Sequence, residues 1–565
     1  MSSNTSKILH YGEAYHFLEN STKIEIDDSE TSSDNDYSKQ YLKRLLEDIQ
    51  GNILKSHGRT YYIYLFLRFD SDRKEFAKKW IGDFAAKYVV SAAKQQKQTQ
   101  AYKEALKNKT VLPNNLFVNL SLSFKGYEAL GLKAEENFKK TRPQNINGSE
   151  VNFNTKSFQK GMFKSLDNPP EDENEWEPAY LQEIHGLILL ADSDPNFFQA
   201  EVCKITEEIE ANHIEIINKE IGLVRKNDKN RTVEPFGFED GISQPLFLKT
   251  DIDKLKGTDK WNPSANLRLV LNVDPFGKQF DKNTSEAYSF GSYLVYQKLE
   301  QNVTAFNARI TSLARLLENQ TQNCQPQAET EQLARAFVMG RFREDGRPVA
   351  EYGNLSASAE SEIACNNFNY EEGGFSDGSQ WRCPFHAHIR KVNPRAIDSN
   401  VYSLEQYDDA PENQRKRRIV RRGTSYGVPN EQHISLLSIS TQENLVHYKN
   451  LLETLGEKMA VGKEGLLFVC FQSDIKSQFE KLRDYTNDKN LGPKKTGNVG
   501  ADPVAGKKTL YTNEWPGQTW PRKWGDSANP VDEGEFDGFS GVVTPKGGEY
   551  FFTPSLSFLK SLKEV

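Results

Sequence analysis

The sequence predicts an α+β protein of two related lobes whose sheets are at least partly antiparallel. Three observations carry this: a strand–cap–helix unit that appears three times, one strand with apolar–polar alternation, and a composition suited to a large core. The first unit is Tyr62–Phe69 (YIYLFLRF), followed by Asp70-Ser71-Asp72 and a helix through Lys74, Phe76 and Trp80. Aromatic and branched residues favour a strand, and an aspartate can accept hydrogen bonds from the free amides at a helix start. Leu187–Leu190 repeats the scheme with Asp192-Ser193-Asp194-Pro195, where Pro195 suits a first helical turn. Leu466–Phe471 repeats it again with Gln472-Ser473-Asp474 and a helix through Phe479 and Leu482. Leu116–Phe124 (LFVNLSLSF) alternates, which predicts an antiparallel strand with one solvated face.

The remaining segments set the organisation. Residues 1–44 are polar and acidic and read as a mobile or surface-laid segment. An N-terminal lobe over 45–249 and a C-terminal lobe over 250–565 follow. The stretch 250–290 is loop-rich, and 300–340 reads as two helices joined by a Gln/Asn-rich linker around 319–329. The Gly/Pro/Trp-rich tail beyond 490, with Trp515, Trp520 and Trp524, is expected to wrap the second lobe.

The 565 residues are 37% hydrophobic and 27% charged, with 33 Phe and 23 Tyr, which is a globular composition. A net charge of −7 argues against a general nucleic-acid or anionic-membrane binder. No apolar run is long enough to predict a transmembrane helix. The opening residues lack a secretory pattern, and the five cysteines form no CxxC pair, so a reducing, cytoplasmic setting is expected.

Three clusters could carry chemistry. His386 and His388 lie in Cys383-Pro384-Phe385-His386-Ala387-His388-Ile389-Arg390-Lys391, whereas the other seven histidines stand alone. The pair lacks a zinc ligand set, but one imidazole could ligate haem iron while Arg390 and Arg395 meet propionates; from spacing alone an incidental histidine in a basic loop is the better reading. In Pro235-Phe236-Gly237-Phe238-Glu239-Asp240-Gly241 two glycines bracket adjacent carboxylates, which permits a tight turn close to a flat ligand or simply an acidic turn. Arg415–Arg422 could contact a polyanion, or could place one fixed cation in a pocket before Gly423.

Together and in this order the clusters resemble the dye-decolorising peroxidase family. Gly237–Gly241 matches its GxxDG motif, extended by Ile242-Ser243-Gln244-Pro245; Cys383–Lys391 is similar to the proximal-histidine segment and Arg421–Gly427 to the distal-arginine segment. Supporting matches are Asp48–Leu54, Gly291–Val295, Gly500–Gly506 and Gly547–Ser555, so the resemblance runs from about residue 45 to the end. It implies two ferredoxin-like lobes with antiparallel sheets, and haem b (iron protoporphyrin IX) held mainly by the C-terminal lobe. It also implies reduction of hydrogen peroxide with oxidation of dyes, phenolics or other one-electron donors.

By position, the resemblance makes His388 the axial ligand and His386 a bystander. Asp240 becomes the acid–base group and Arg421 the cation for charge developing as the O–O bond breaks. Gly241, Ile242, Ser243, Leu466 and Phe468 would line the cofactor, Arg395 would bind a propionate, and Asp502 would accept the proximal N–H. Tyr426 sits where some relatives carry a radical tyrosine. An aspartate as acid–base group implies activity favouring acidic pH. A haem protein of another role (transport, iron release or chlorite chemistry) is the alternative, disfavoured because both Asp240 and Arg421 are retained.

Overall fold

Eight strands form the centre of the molecule in the computed structural model. It describes residues 37–110, 115–140, 155–166, 172–255, 260–277, 289–319, 325–354, 362–370, 382–393, 395, 411–458, 460–487, 500–506, 518–525, 531, 538–539 and 541–564. Most of the 1–44 segment, much of the 319–329 linker and Trp515 lie outside these residues. The first half supplies β1 (Tyr61–Arg68), β2 (Phe117–Leu122), β3 (Gly186–Asp192) and β4 (Glu215–Leu223). The second supplies β5 (Phe290–Gln301), β6 (Thr424–Gly427), β7 (Glu464–Gln472) and β8 (Val543–Thr553).

Both halves use one strand order. It is β4-β1-β3-β2 in the first and β8-β5-β7-β6 in the second, so that in each the fourth strand lies beside the first and the second beside the third, with every pairing antiparallel. This is the ferredoxin-like arrangement, repeated. Two narrow seams join the halves into a closed barrel: Phe552 opposite Leu122, and Ser425 and Tyr426 opposite Leu223 and Gly222. Closure leaves no long open edge between the half-sheets. The first seam is stitched by Gln50, whose Nε2 donates to the carbonyls of Leu120 (2.7 Å) and Pro554 (2.9 Å) while its Oε1 accepts from Leu120 N (3.0 Å).

Closure corrects one expectation. β2 is buried along its whole length, with no solvated face. Its polar residues are satisfied internally: Asn119 Nδ2 donates to Gln50 Oε1 at 3.2 Å, and Ser121 Oγ meets Thr553 Oγ1 at 2.7 Å. Alternation there records hydrogen-bonded polar groups inside the fold rather than exposure.

The three strand–cap–helix units form as the residue types require. Asp70 accepts from Asp72 N (3.0 Å) ahead of α1 (Lys74–Lys87), and Asp194 accepts from Phe197 N (2.8 Å) at the start of α2 (Pro195–Ala211). Between the later strands come α3 (Val303–Leu317), α4 (Ala328–Met339), α5 (His388–Val392) and α6 (Ile439–Thr454). After β7, Asp474 accepts from Ser477 N (2.8 Å) before a π-turn that runs into α7 (Lys481–Asn487). Residues 300 and 301, expected to be helical, belong to β5, which pairs on both sides; helix begins only where Asn302 accepts from Ala305 N at 2.9 Å. α3 and α4 pack with Phe236, Phe238 and the fully buried Trp520 into a second core beside the barrel. Among the described residues, no helix is long and apolar enough to cross a membrane.

Candidate active site

The loop 231–245 leaves the first half and folds back on itself, with Asp240 N donating to Thr232 O at 2.9 Å. Gly237 sits at φ +91°, where an added Cβ would stand 3.0 Å from Arg343 Cδ. Gly241, at φ +89°, turns its amide onto Asp240 Oδ1 at 2.7 Å. Oδ2 of Asp240 has no hydrogen bond among the described residues. The neighbouring carboxylate takes another direction: Glu239 Oε2 pairs with Arg231 at 2.6 Å.

Arg421 approaches from a two-residue strand (Val420–Arg421) laid against β7, with Arg421 opposite Cys470. Its Nη2 donates to Ile242 O at 2.6 Å and its backbone N to Gln244 Oε1 at 3.1 Å. The guanidinium is thus clamped to the loop that carries Asp240. Arg422 turns the other way, donating Nε to Asn52 O at 2.7 Å. This is the geometric reason to read the first arginine of the pair as the functional one.

His388, lining the same cavity as Asp240 and Arg421, opens α5, and its Nδ1 lies 2.7 Å from Asp502 Oδ2. Asp502 is 0% exposed, and its Oδ1 accepts from Val504 N (2.8 Å) and Ala505 N (3.0 Å). With Nδ1 committed, Nε2 is the atom left for a metal. A carboxylate behind a ligating imidazole fixes its tautomer and raises its basicity. His386 is buried edge-on to Trp520, with ring centroids 4.4 Å apart.

A pair of cations, Arg341 buried and Arg395 partly buried, completes the site. Ser243 Oγ accepts from Arg395 Nη2 (2.8 Å) and Arg341 Nη2 (3.0 Å) and donates to Asn366 Oδ1 (2.6 Å). Arg395 also donates to the carbonyls of Asn366 (2.6 Å) and Phe368 (2.9 Å), and lies 4.0 Å from the Phe368 ring centre, yet its buried Nε finds no partner. Burial first, and the Arg341 cation second, push Arg395 down to about 9. Two adjacent guanidinium groups without a hydrogen-bonded carboxylate among the described residues form a place for anionic groups, since a buried charge is costly unless paired.

Asp240, Ile242, Ser243, His388, Arg395, Arg421, Leu466 and Phe468 all line one cavity of about 320 Å³, whose walls come from residues between Glu234 and Pro545. Leu466 and Phe468 face it from β7 while Leu467 and Val469 enter the barrel core. Asp502 stands behind His388, and Gly241 shapes the loop. Tyr426 lies apart, half-buried on β6 with Lys298 Nζ 5.1 Å from its ring centre. Sequence reasoning missed Arg341, which follows the helix-ending Gly340 (φ +92°), and Glu234, one residue before the stretch singled out. An arginine directly after a helix-terminating glycine was the available signal for the former. The residues present fit haem: one ligating nitrogen, apolar walls, and two under-paired cations suited to two propionates.

Comparison with known proteins places the chain among its relatives. A family model described as the DyP dimeric alpha+beta barrel domain matches residues 48–226. The multifunctional dye peroxidase DyP2 of Amycolatopsis sp. is 31% identical, covering 92% of this chain and 96% of its own length. The dye-decolorizing peroxidase AauDyP1 of Auricularia auricula-judae is 27% identical over 90% of this chain and 85% of its own. The crystal structure of the DyP-type peroxidase of Anabaena sp. superposes with a TM-score of 0.73 at 33% identity, covering 97% of this chain and 99% of that one.

Proposed function

Because this chain belongs to the dye-decolorising family of haem peroxidases, which take haem b and reduce hydrogen peroxide while oxidising dyes, we propose that Asp240 and Arg421 carry its peroxide chemistry and His388 holds the iron. One observation carries this reading: Arg421 and the Asp240 loop are hydrogen-bonded together on one cavity, and an Asp502-anchored imidazole lines the same cavity. Haem, when bound, would supply an iron porphyrin that takes up the two oxidising equivalents of peroxide and passes them on one electron at a time.

The protein's own groups do the rest. Asp240 Oδ2 takes the proton from one peroxide oxygen and delivers it to the other as general base and then general acid. Arg421, held at Nη2 by Ile242 O, keeps its remaining N–H groups for the negative charge that develops as the O–O bond breaks. Leu466, Phe468 and Ile242 keep water from that charge. Arg395, with Arg341 beside it and Ser243 between them, binds the propionates. Two electrons from donors and two protons turn each peroxide into two waters.

Aromatic one-electron donors fit this site class. For donors too bulky to enter the cavity, Tyr426 is the relay we assign, because Ser425 and Tyr426 pair with Leu466 and Gly465 of the cavity-lining strand. The division into lobes at 45–249 and 250–565 is supported by the repeated strand order. The free thiols Cys203, Cys365, Cys383 and Cys470 support a reducing, cytoplasmic setting. The test is stopped-flow absorbance of the haem-loaded protein mixed with peroxide. Asp240→Asn should slow the first spectral change by about 10²–10⁴-fold while leaving haem content unchanged; an unaltered rate would remove Asp240 from the mechanism.

A further inference from the structure

Glu234 lines the cavity just upstream of Asp240 and has no role in the mechanism above. Its side chain is folded into the turn that its own backbone begins. Oε2 accepts from Phe236 N at 3.0 Å and Oε1 from Phe238 N at 2.9 Å. The main chain closes the same turn, with Glu234 N donating to Phe238 O (3.0 Å) and Gly237 N to Glu234 O (2.8 Å). From the barrel, Gln301 at the end of β5 donates Nε2 to Glu234 Oε2 at 2.7 Å, and Gln301 is itself only 6% exposed. The turn is wedged further by Phe236 stacking on Phe306 of α3 at 4.1 Å. Asp240 is the next residue but one beyond this turn, so its position inherits whatever fixes the turn.

We propose that Glu234 is a positioning residue for Asp240: through Gln301 it pins the turn 234–238 to barrel strand β5, and so sets where the Asp240 carboxyl stands in the cavity. The inference rests on the reading of Asp240 as the acid–base group.

The surroundings give this peg a pH dependence. The charged groups of its own loop are Asp240 and Glu239, the latter tied to Arg231. Arg343 packs against Gly237, and Arg341 lies across the cavity. On β5, Lys298 serves Glu177 and Glu220, and Glu300 meets Lys546, while β8 presents Val543 and Pro545 to the cavity. The three donors to Glu234 are neutral. Burial therefore pushes its carboxyl up to about 7, and the Asp240 charge acts in the same direction. Below that pH Glu234 is neutral. Above it, a second negative charge stands beside Asp240, opposing the charge that forms on the breaking peroxide, so the rate falls across neutrality.

The test compares haem-loaded wild type, Asp240→Asn, Glu234→Gln, Glu234→Ala and Gln301→Leu. Two quantities are read: the peroxide rate constant from about pH 4 to about pH 9, and hydrogen exchange of the peptide spanning 232–242. Below neutrality Glu234→Gln should lower the rate about 3–10-fold, because its NH2 replaces an acceptor of the turn, and it should abolish the inflection near neutrality; Glu234→Ala should cost about 10–100-fold with faster exchange. Gln301→Leu leaves the carboxyl in place and should also speed exchange and slow the reaction several-fold; it decides the matter if Glu234→Ala does not load haem. Faster exchange with the rate and its pH profile unmoved would make Glu234 merely structural and overturn the proposal. So would unchanged behaviour of Glu234→Gln and Gln301→Leu beside a crippled Asp240→Asn, which leaves the reading of Asp240 intact. A fully active Asp240→Asn would instead remove that reading and this one with it.

Discussion

The two faces of the cavity are built to different standards of fixity. On the His388 side, Asp502 is wholly buried, both its oxygens are engaged, and its backbone N is tied to Thr486 O of α7 at 2.9 Å. Asp240, by contrast, is half-buried and among the described residues holds only the amide of Gly241, while the Arg421 guanidinium is anchored among them by a single bond to Ile242 O. A metal ligand must not move, whereas a proton carrier and a charge acceptor need unspent hydrogen-bonding capacity facing the reactant. The carboxylate behind His388 is saturated, whereas the groups proposed to act on peroxide keep free hydrogen-bonding capacity.

The first way to break this contrast is His388→Ala. It removes the only imidazole lining the cavity among the described residues and should abolish stable haem retention, with the Soret band per mole of protein as the measure; normal haem content would place the ligand elsewhere. Arg421→Leu comes next. It should slow the reaction with peroxide about 10²–10³-fold at unchanged haem content, because the cation acts on charge that exists only as the bond breaks. Asp502→Asn, which keeps the shape but not the charge behind His388, should cost about 10–100-fold in haem affinity or turnover, separated by titration with haem and steady-state assay. The smallest effect belongs to Ser243→Ala. Loss of the hydroxyl between Arg341 and Arg395 should lower apoprotein stability by about 1–3 kcal/mol and the haem-loaded form by less, since propionates then supply acceptors; equal shifts in Tm would separate Ser243 from propionate binding.

The same contrast explains what could be read from the amino acids. Asp240, Arg421 and His388 stood out because each sits in a short local pattern: a carboxylate beside Gly241, an arginine pair just before Gly423, and a histidine followed closely by Arg390 and Lys391. The strand–cap–helix units were legible for a similar reason, since Asp70, Asp194 and Asp474 act on amides within a few residues. Glu234 and Arg341 were not, because the contacts that tie them to the site come from residues distant in sequence, Gln301 for Glu234 and Ser243 and the Cys365 carbonyl for Arg341. Barrel closure was equally hidden: it depends on Ser425 and Tyr426 meeting Leu223 and Gly222 and on Phe552 meeting Leu122, pairings set by tertiary packing rather than by neighbouring residues. Asn119 and Ser121 pointed the wrong way for that reason, as their partners Gln50 and Thr553 come from opposite ends of the chain.

The position of β8 has a consequence for biogenesis. This strand lies between β5 and β2, both of which leave the ribosome long before it does. Until residues 543–553 emerge, the nascent chain holds two half-sheets with raw flanks, competent to stick to one another wrongly or to a neighbouring polysome. Insertion of that last ribbon is the step that seals the protein, and cofactor capture is expected to follow translation rather than accompany it.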